Sequence, residues 1–217
     1  MSNRRRNSDS QDQWSLFDGD RASPPMPSIA PKRPAKGKST DRFFFAIQPD
    51  AEAIEKSREI ASRLRVDLRL SGNLFPQWRL HVSLTHLGDY VGVPRNILRR
   101  AQDIASTIHM HEFRVRFDRI TTLGFPGKPS RPKVLVATEE MPGLNLFMGL
   151  LYTSIYNVSV APVFTPHMTL LYDERIIDDI TVEPVTWIAR EFVLIRNVLG
   201  TGRPYEILGR WPLLRIT

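Results

Sequence analysis

Two short stretches pair an imidazole with a hydroxyl two residues further on. They are His81 and Ser83 in RLHVSLTHLGDY (79–90), and His167 and Thr169 in FTPHMTLLYD (164–173). Strand side chains alternate between faces, so His81, Ser83 and Thr85 share one face while Val82 and Leu84 point into a core. In the second stretch His167 and Thr169 share a face, with Met168 and Leu170 inward. One such tripeptide arises readily by chance; two in matching contexts call for an explanation. If the two regions pack about a pseudo-two-fold axis, both pairs face one groove. Two imidazoles titrate near neutrality. One can take a proton from water while the other gives a proton to a leaving oxygen. The hydroxyls can hold non-bridging phosphoryl oxygens. The electrophile that suits this set is phosphorus in an ester whose alkoxide must be protonated as it leaves, and a strained cyclic phosphodiester suits it best. Such chemistry needs neither metal nor other cofactor, and the sequence offers no evident metal cluster.

The elements that must position these groups are legible in outline. DRFFFAIQPD (41–50) predicts a buried strand through Phe43, Phe44, Phe45 and Ile47, ended by a Pro-Asp turn. Asp50 is placed to cap a helix over 51–65, with Ile54, Ala61 and Leu64 on one face and Ile60 beside them. After the first His-x-Ser strand, 93–109 predicts a helix with Pro94 near its start. Residues 112–124 alternate Phe113, Val115 and Phe117 with Arg114, Arg116 and Asp118, a strand period. A loop at 125–132, a strand at 133–139 and a helix at 143–157 follow. In that helix Leu144, Phe147, Met148 and Leu151 form a stripe that belongs in a core. The end of the chain, 185–200 and 205–213, is strand-rich, with hairpin-like strands expected. Each His-x-hydroxyl strand thus follows a strand and a helix. The expected architecture is α+β and bilobal: two pseudo-symmetric strand–helix–strand halves, with mostly antiparallel sheets around a central groove.

The chain has 217 residues, 41% of them hydrophobic, which suits one domain of ordinary size with a tail. It has no cysteine, which removes disulfides, thiolate nucleophiles and Cys-based zinc sites and accords with a reducing cytoplasm. The first residues are basic but have no apolar run behind them, so no secretory signal is expected. No segment approaches a membrane span, so the expectation is a soluble, cytoplasmic protein with no membrane partner. Net charge is +7, and residues 1–40 carry eight Lys/Arg against four Asp, with five prolines between 24 and 34. That composition predicts a disordered tail over 1–40 ahead of a folded domain over 41–217. The tail is either a dispensable extension or a basic arm for RNA. The mildly basic body suits a polyanion.

In their order along the chain, RFFFAIQPD, QWRLHVSLTHLGDY, LGFPGKPSRPKVLV and FTPHMTLLYD resemble the 2H phosphoesterase superfamily, in its bacterial 2′-5′ RNA ligase / RNA 2′,3′-cyclic phosphodiesterase branch. The resemblance covers residue 42 to about 210. It implies a bilobal α+β fold with a basic groove and hydrolysis of RNA 2′,3′-cyclic phosphate ends to 2′-phosphates. The reading taken from the residues and the resemblance together is a cyclic phosphodiesterase, a monomer without cofactor, that acts on RNA 3′ ends or small cyclic nucleotides. Carried over, His81 would protonate the departing 3′ oxygen and His167 would activate water, though the two labels can be exchanged. Ser83 and Thr169 would bind phosphate oxygens. Ser83 stands where Thr is commoner and keeps the hydroxyl. Tyr172 stands where many relatives have a basic residue; that contact is lost or passes to Arg175 or Lys133, or Tyr172 stacks on a base.

Other candidates read as structural. His86 falls on the opposite strand face or in the turn before Gly88. His109 and His111 lack a third metal ligand beyond the adjacent Glu112. Arg114 and Arg116 read as a solvated face, with RNA contact as the alternative. Trp78 and Trp187 read as core residues, with base stacking as the alternative, and Phe44 reads as a buried strand residue, with groove lining as the alternative. Rival functions are a non-catalytic RNA-terminus binding module, reversible 2′-5′ ligation and a metal-dependent hydrolase.

Overall fold

The protein is described by a computed structural model covering residues 40–124 and 129–215. The expected tail, apart from Thr40, lies outside the described residues, as does 125–128 of the expected loop. Eight strands form one antiparallel sheet: β1 (Asp41–Ile47), β2 (Val82–Tyr90), β3 (Phe113–Thr122), β4 (Arg131–Val136), β5 (Met168–Asp173), β6 (Ile180–Ala189), β7 (Glu191–Val198) and β8 (Glu206–Pro212). The helices are α1 (Ala51–Asp67), α2 (Arg95–Ser106) and α3 (Pro142–Tyr156).

The strand order β6-β3-β4-β5-β2-β1-β7-β8 is symmetric about the β5/β2 seam. Each half holds a strand–helix–strand unit, β1-α1-β2 or β4-α3-β5, whose two strands pair with each other. Expected and observed architecture agree. The halves join as one sheet through a single strand pair, Val82 opposite Met168. Beyond it the chain leaves the ladder in a 3₁₀ turn, Gln77–Arg79, and returns to β5 through the Phe75 amide, which donates to the Leu170 carbonyl at 2.7 Å.

Local chemistry explains the elements. The Asp50 carboxylate accepts the Ala53 amide at 2.9 Å, capping α1 as its type predicts. The buried face of α1 is Ala53, Ser57, Ala61 and Leu64, with Ile54 and Ile60 on its shoulders. Small residues there let the helix lie close to the sheet. The α3 stripe Leu144, Phe147, Met148 and Leu151 is wholly enclosed, and the helix ends where Asn157 turns left-handed at φ 53°. β1 is buried on both faces: Phe43, Phe45 and Ile47 join the main core, while Phe44 and Ala46 join a smaller cluster with Val193 and Ile195. Its unbroken apolar run follows from that double burial.

The strand-rich end differs from the hairpins expected of it. β6 and β7 are separated by Arg190 alone, yet β6 pairs with β3 at one edge and β7 with β1 in the other half. The sheet must therefore curl until its far ends approach. Backbone bonds close that end: Leu213 donates to the Arg190 carbonyl, Leu214 to Met110, and Glu112 to Leu214. Only β7 and β8 form the late hairpin. No helix among the described residues is long and apolar enough to cross a membrane.

Candidate active site

The seam between the halves sets the site. With Val82 opposite Met168, one step along the register puts His81 beside Thr169 and Ser83 beside His167. Both His-x-hydroxyl pairs therefore project from the face opposite Val82 and Met168, which lie in the main core. All four groups are buried; His81 is 1% exposed and His167 3%.

Each ring is fixed in the same way. His81 Nδ1 donates to the Arg79 carbonyl at 2.7 Å, and His167 Nδ1 to the Thr165 carbonyl at 2.8 Å. A carbonyl only accepts, so both rings carry their proton on Nδ1 and present Nε2 as the basic nitrogen. His167 Nε2, Ser83 Oγ and Thr169 Oγ1 have no hydrogen-bond partner among the described residues. Buried polar atoms are usually paired. Three orphans from two strands, gathered at one seam, describe a site that a polar ligand would complete.

Electrostatics keep both rings neutral. Burial pushes His81 down from 6.5 to about 4, helped by the Arg79 guanidinium and by His167 and opposed by the Arg79 carbonyl. That repulsion also places the two imidazoles within electrostatic reach of each other. Burial lowers His167 too, against the Thr165 carbonyl. Either ring is thus ready to accept a proton. A phosphate anion between them would raise both, so that one ring could take a proton from solvent and serve as the acid.

Aromatic rings wall in His81: Phe44 at 5.1 Å, Tyr205 at 5.3 Å and Phe75 at 6.5 Å between centroids. Phe44 is buried as expected, and it also forms part of this wall. Tyr172 enters through Phe75, 6.2 Å away. Lys133 stands apart. It is fully enclosed, its ammonium donates to the Arg131 and Asp173 carbonyls at 3.0 Å each, and burial lowers it to about 8 against the pull of Asp173. Arg175 reaches the Leu68 carbonyl. Thr85 is buried, but a bulge opposite Phe45 interrupts the alternation before it.

Sequence reasoning missed Arg79, Phe75, Tyr205 and Asn197. Arg79 stacks over Tyr205 at 4.5 Å and Phe75 at 5.4 Å, and donates to Asn197 Oδ1 at 3.1 Å. Its position two residues before His81 was the available signal. Tyr205 lies far along the chain and gave none. Trp78 corrects an expectation: it is 55% exposed on the 3₁₀ turn, not in the core. Trp187 is in the core. His86 bonds Asp89, which also holds Arg42 in a two-point pair, a structural role. Arg116 pairs with Asp118, and Arg114 is exposed. Among the described residues, no three His, Asp or Glu side chains cluster as metal ligands would.

Fold and paired motifs together point to one class: the structure is similar to those of members of the 2H phosphoesterase superfamily. Solved structures similar to it include E. coli LigT in apo form, 25% identical with a TM-score of 0.64, the likeness covering 81% of this chain and 99% of that one. A structure described as a phosphoesterase aligns equally well at 23% identity, with the same TM-score and coverage. TT0787 of Thermus thermophilus aligns at 20% identity and TM-score 0.62, over 79% of this chain and 97% of that one. By sequence the chain matches no protein-family profile and no curated protein.

Proposed function

We propose that the protein is a cyclic phosphodiesterase that hydrolyses 2′,3′-cyclic phosphates, at RNA 3′ ends or on small cyclic nucleotides, to 2′-phosphomonoesters. One observation carries this reading: two imidazoles with matching Nδ1 tethers flank a single strand pair, each beside a buried hydroxyl left without a partner. One ring takes a proton from water as the water oxygen bonds to phosphorus. The P–O3′ bond breaks, and the other ring, protonated, delivers its proton to O3′. The resemblance assigns the acid to His81 and the base to His167. Ser83 and Thr169 donate to the non-bridging oxygens, which gain charge in the transition state. After turnover the rings have exchanged protonation states and reset through solvent. LigT has been seen with 3′-AMP and with phosphate, which accords with a nucleotide phosphate in this groove.

The test is turnover of 2′,3′-cyclic AMP by purified protein in excess chelator, with the 2′-phosphate product identified by phosphorus NMR. Turnover that falls at least about a hundredfold in His81→Ala and in His167→Ala supports the reading. Tight binding without turnover would instead make the chain an RNA-terminus binding module, and activity lost to chelation would make it a metal-dependent hydrolase.

A further inference from the structure

The Arg79 side chain is buried at 6% residue exposure, yet no carboxylate pairs with it among the described residues. Its partners are neutral: the Asn197 amide oxygen, the Tyr205 hydroxyl and the faces of Tyr205 and Phe75. Nε has no hydrogen-bond partner among the described residues. The neighbouring buried guanidinium, Arg42, behaves differently, since Asp89 holds it through Nε and Nη2 at 2.7 Å each. A buried charge is costly unless it is paired, and neutral partners (ring faces, a phenol oxygen and one amide oxygen) offset only part of that cost. Arg79 therefore lacks an anion.

The place of that anion follows from the packing. The Tyr205 and Phe75 rings that stack on the guanidinium are the rings against His81. Arg79 stands on the 3₁₀ turn that leaves the sheet beside the Val82–Met168 seam, and its own carbonyl fixes His81. From the unpaired guanidinium, its Nε and the walls it shares with His81, we infer that Arg79 is a substrate-binding residue that takes an oxygen of the phosphoryl group held between His81 and His167. A planar guanidinium suits that role, since it donates in a fixed fork to phosphate oxygens. Its field also disfavours protonation of His81 until an anion arrives, which agrees with the lowered value of that ring. The inference takes only the identity of the anion from the proposed function.

Inorganic phosphate is the probe, read by calorimetric titration and by thermal melting, neither of which needs turnover. Phosphate should bind the wild-type chain and raise its Tm. Arg79→Met should bind it at least tenfold more weakly, with Arg79→Lys in between. Arg79→Met should melt no lower than wild type without phosphate, because it removes an uncompensated buried charge. With 2′,3′-cyclic AMP, Arg79→Met should lower kcat/KM at least tenfold, with kcat carrying the larger part. Wild-type phosphate affinity in folded Arg79→Met, or a wild-type chain that phosphate does not stabilise, overturns the inference. Phosphate binding that depends on Arg79 in a chain that turns over no cyclic phosphate would sink the proposed function and leave this inference standing.

Discussion

Replacing His81 with Asn separates the tether of the ring from its titration. The Asn amide can still donate to the Arg79 carbonyl, as Nδ1 does, but cannot take up a proton. In the folded wild type His81 titrates near 4, while in the unfolded chain it titrates near 6.5. Between those values the unfolded chain binds a proton that the folded chain refuses. Stability is therefore full above 6.5 and falls as the pH drops towards 4. At about 1.4 kcal/mol per pH unit, wild type loses about 2 kcal/mol between pH 7 and pH 5 through this group, and about 3 kcal/mol by pH 4. Other titrating groups are common to both chains and cancel in the difference. Urea unfolding of wild type and His81→Asn at half-unit steps from pH 7 to 5 measures it. Whatever constant offset the substitution brings, wild type should lose about 2 kcal/mol relative to the variant over that range. A flat difference would mean that His81 is hydrated, and a difference of opposite sign that it is paired with an acid; under either, the argument for a neutral, desolvated ring would fail.

The same lowered values set the activity profile: kcat/KM for a cyclic phosphate should peak below pH 6.5, since both rings titrate below their ordinary value in the free protein, and a peak above pH 7.5 contradicts this. Ser83→Ala and Thr169→Ala each remove a buried hydroxyl without a partner; kcat should drop about a hundredfold while stability stays level or rises by up to about 1 kcal/mol, read by turnover and denaturation on one sample. Lys133→Met removes the ammonium's bonds to the Arg131 and Asp173 carbonyls and should cost about 2 kcal/mol in urea unfolding; a neutral result would show that those bonds carry no net stability. Gly72→Ala would drive its Cβ into the Tyr172 carbonyl oxygen. It should cost about 3 kcal/mol or more and displace the loop that Asp173 holds through the Gly72 amide at 2.7 Å. A Tm within a degree of wild type would refute so close an approach.

Much of this molecule can be read along the chain because its signals are local. Phe43 to Ile47, the Asp50 cap, the α3 stripe and the alternation around His81 and His167 each lie within a few residues and answer to strand or helix periodicity. The repeat of His-x-hydroxyl after a strand and a helix was enough to expect two halves and a shared groove. The late strands were harder. Nothing local at Arg190 tells that β6 and β7 part to opposite halves of a curled sheet. Trp78 misled for a related reason: it borders the His81 strand in sequence and reads as a core residue, but the chain leaves the sheet there and turns the indole outward.

The sequence by itself determined that two imidazoles, His81 and His167, each share a strand face with a hydroxyl, Ser83 and Thr169, because alternation along a strand follows from the geometry of one extended backbone. Only the tertiary structure decided that Val82 meets Met168, that Arg79 lies buried between Phe75 and Tyr205 with no carboxylate paired to it among the described residues, and that Lys133 gives its charge to two carbonyls. Those facts depend on which distant segments share a seam. Pairing register and burial belong to the packed chain as a whole, and no short stretch encodes them.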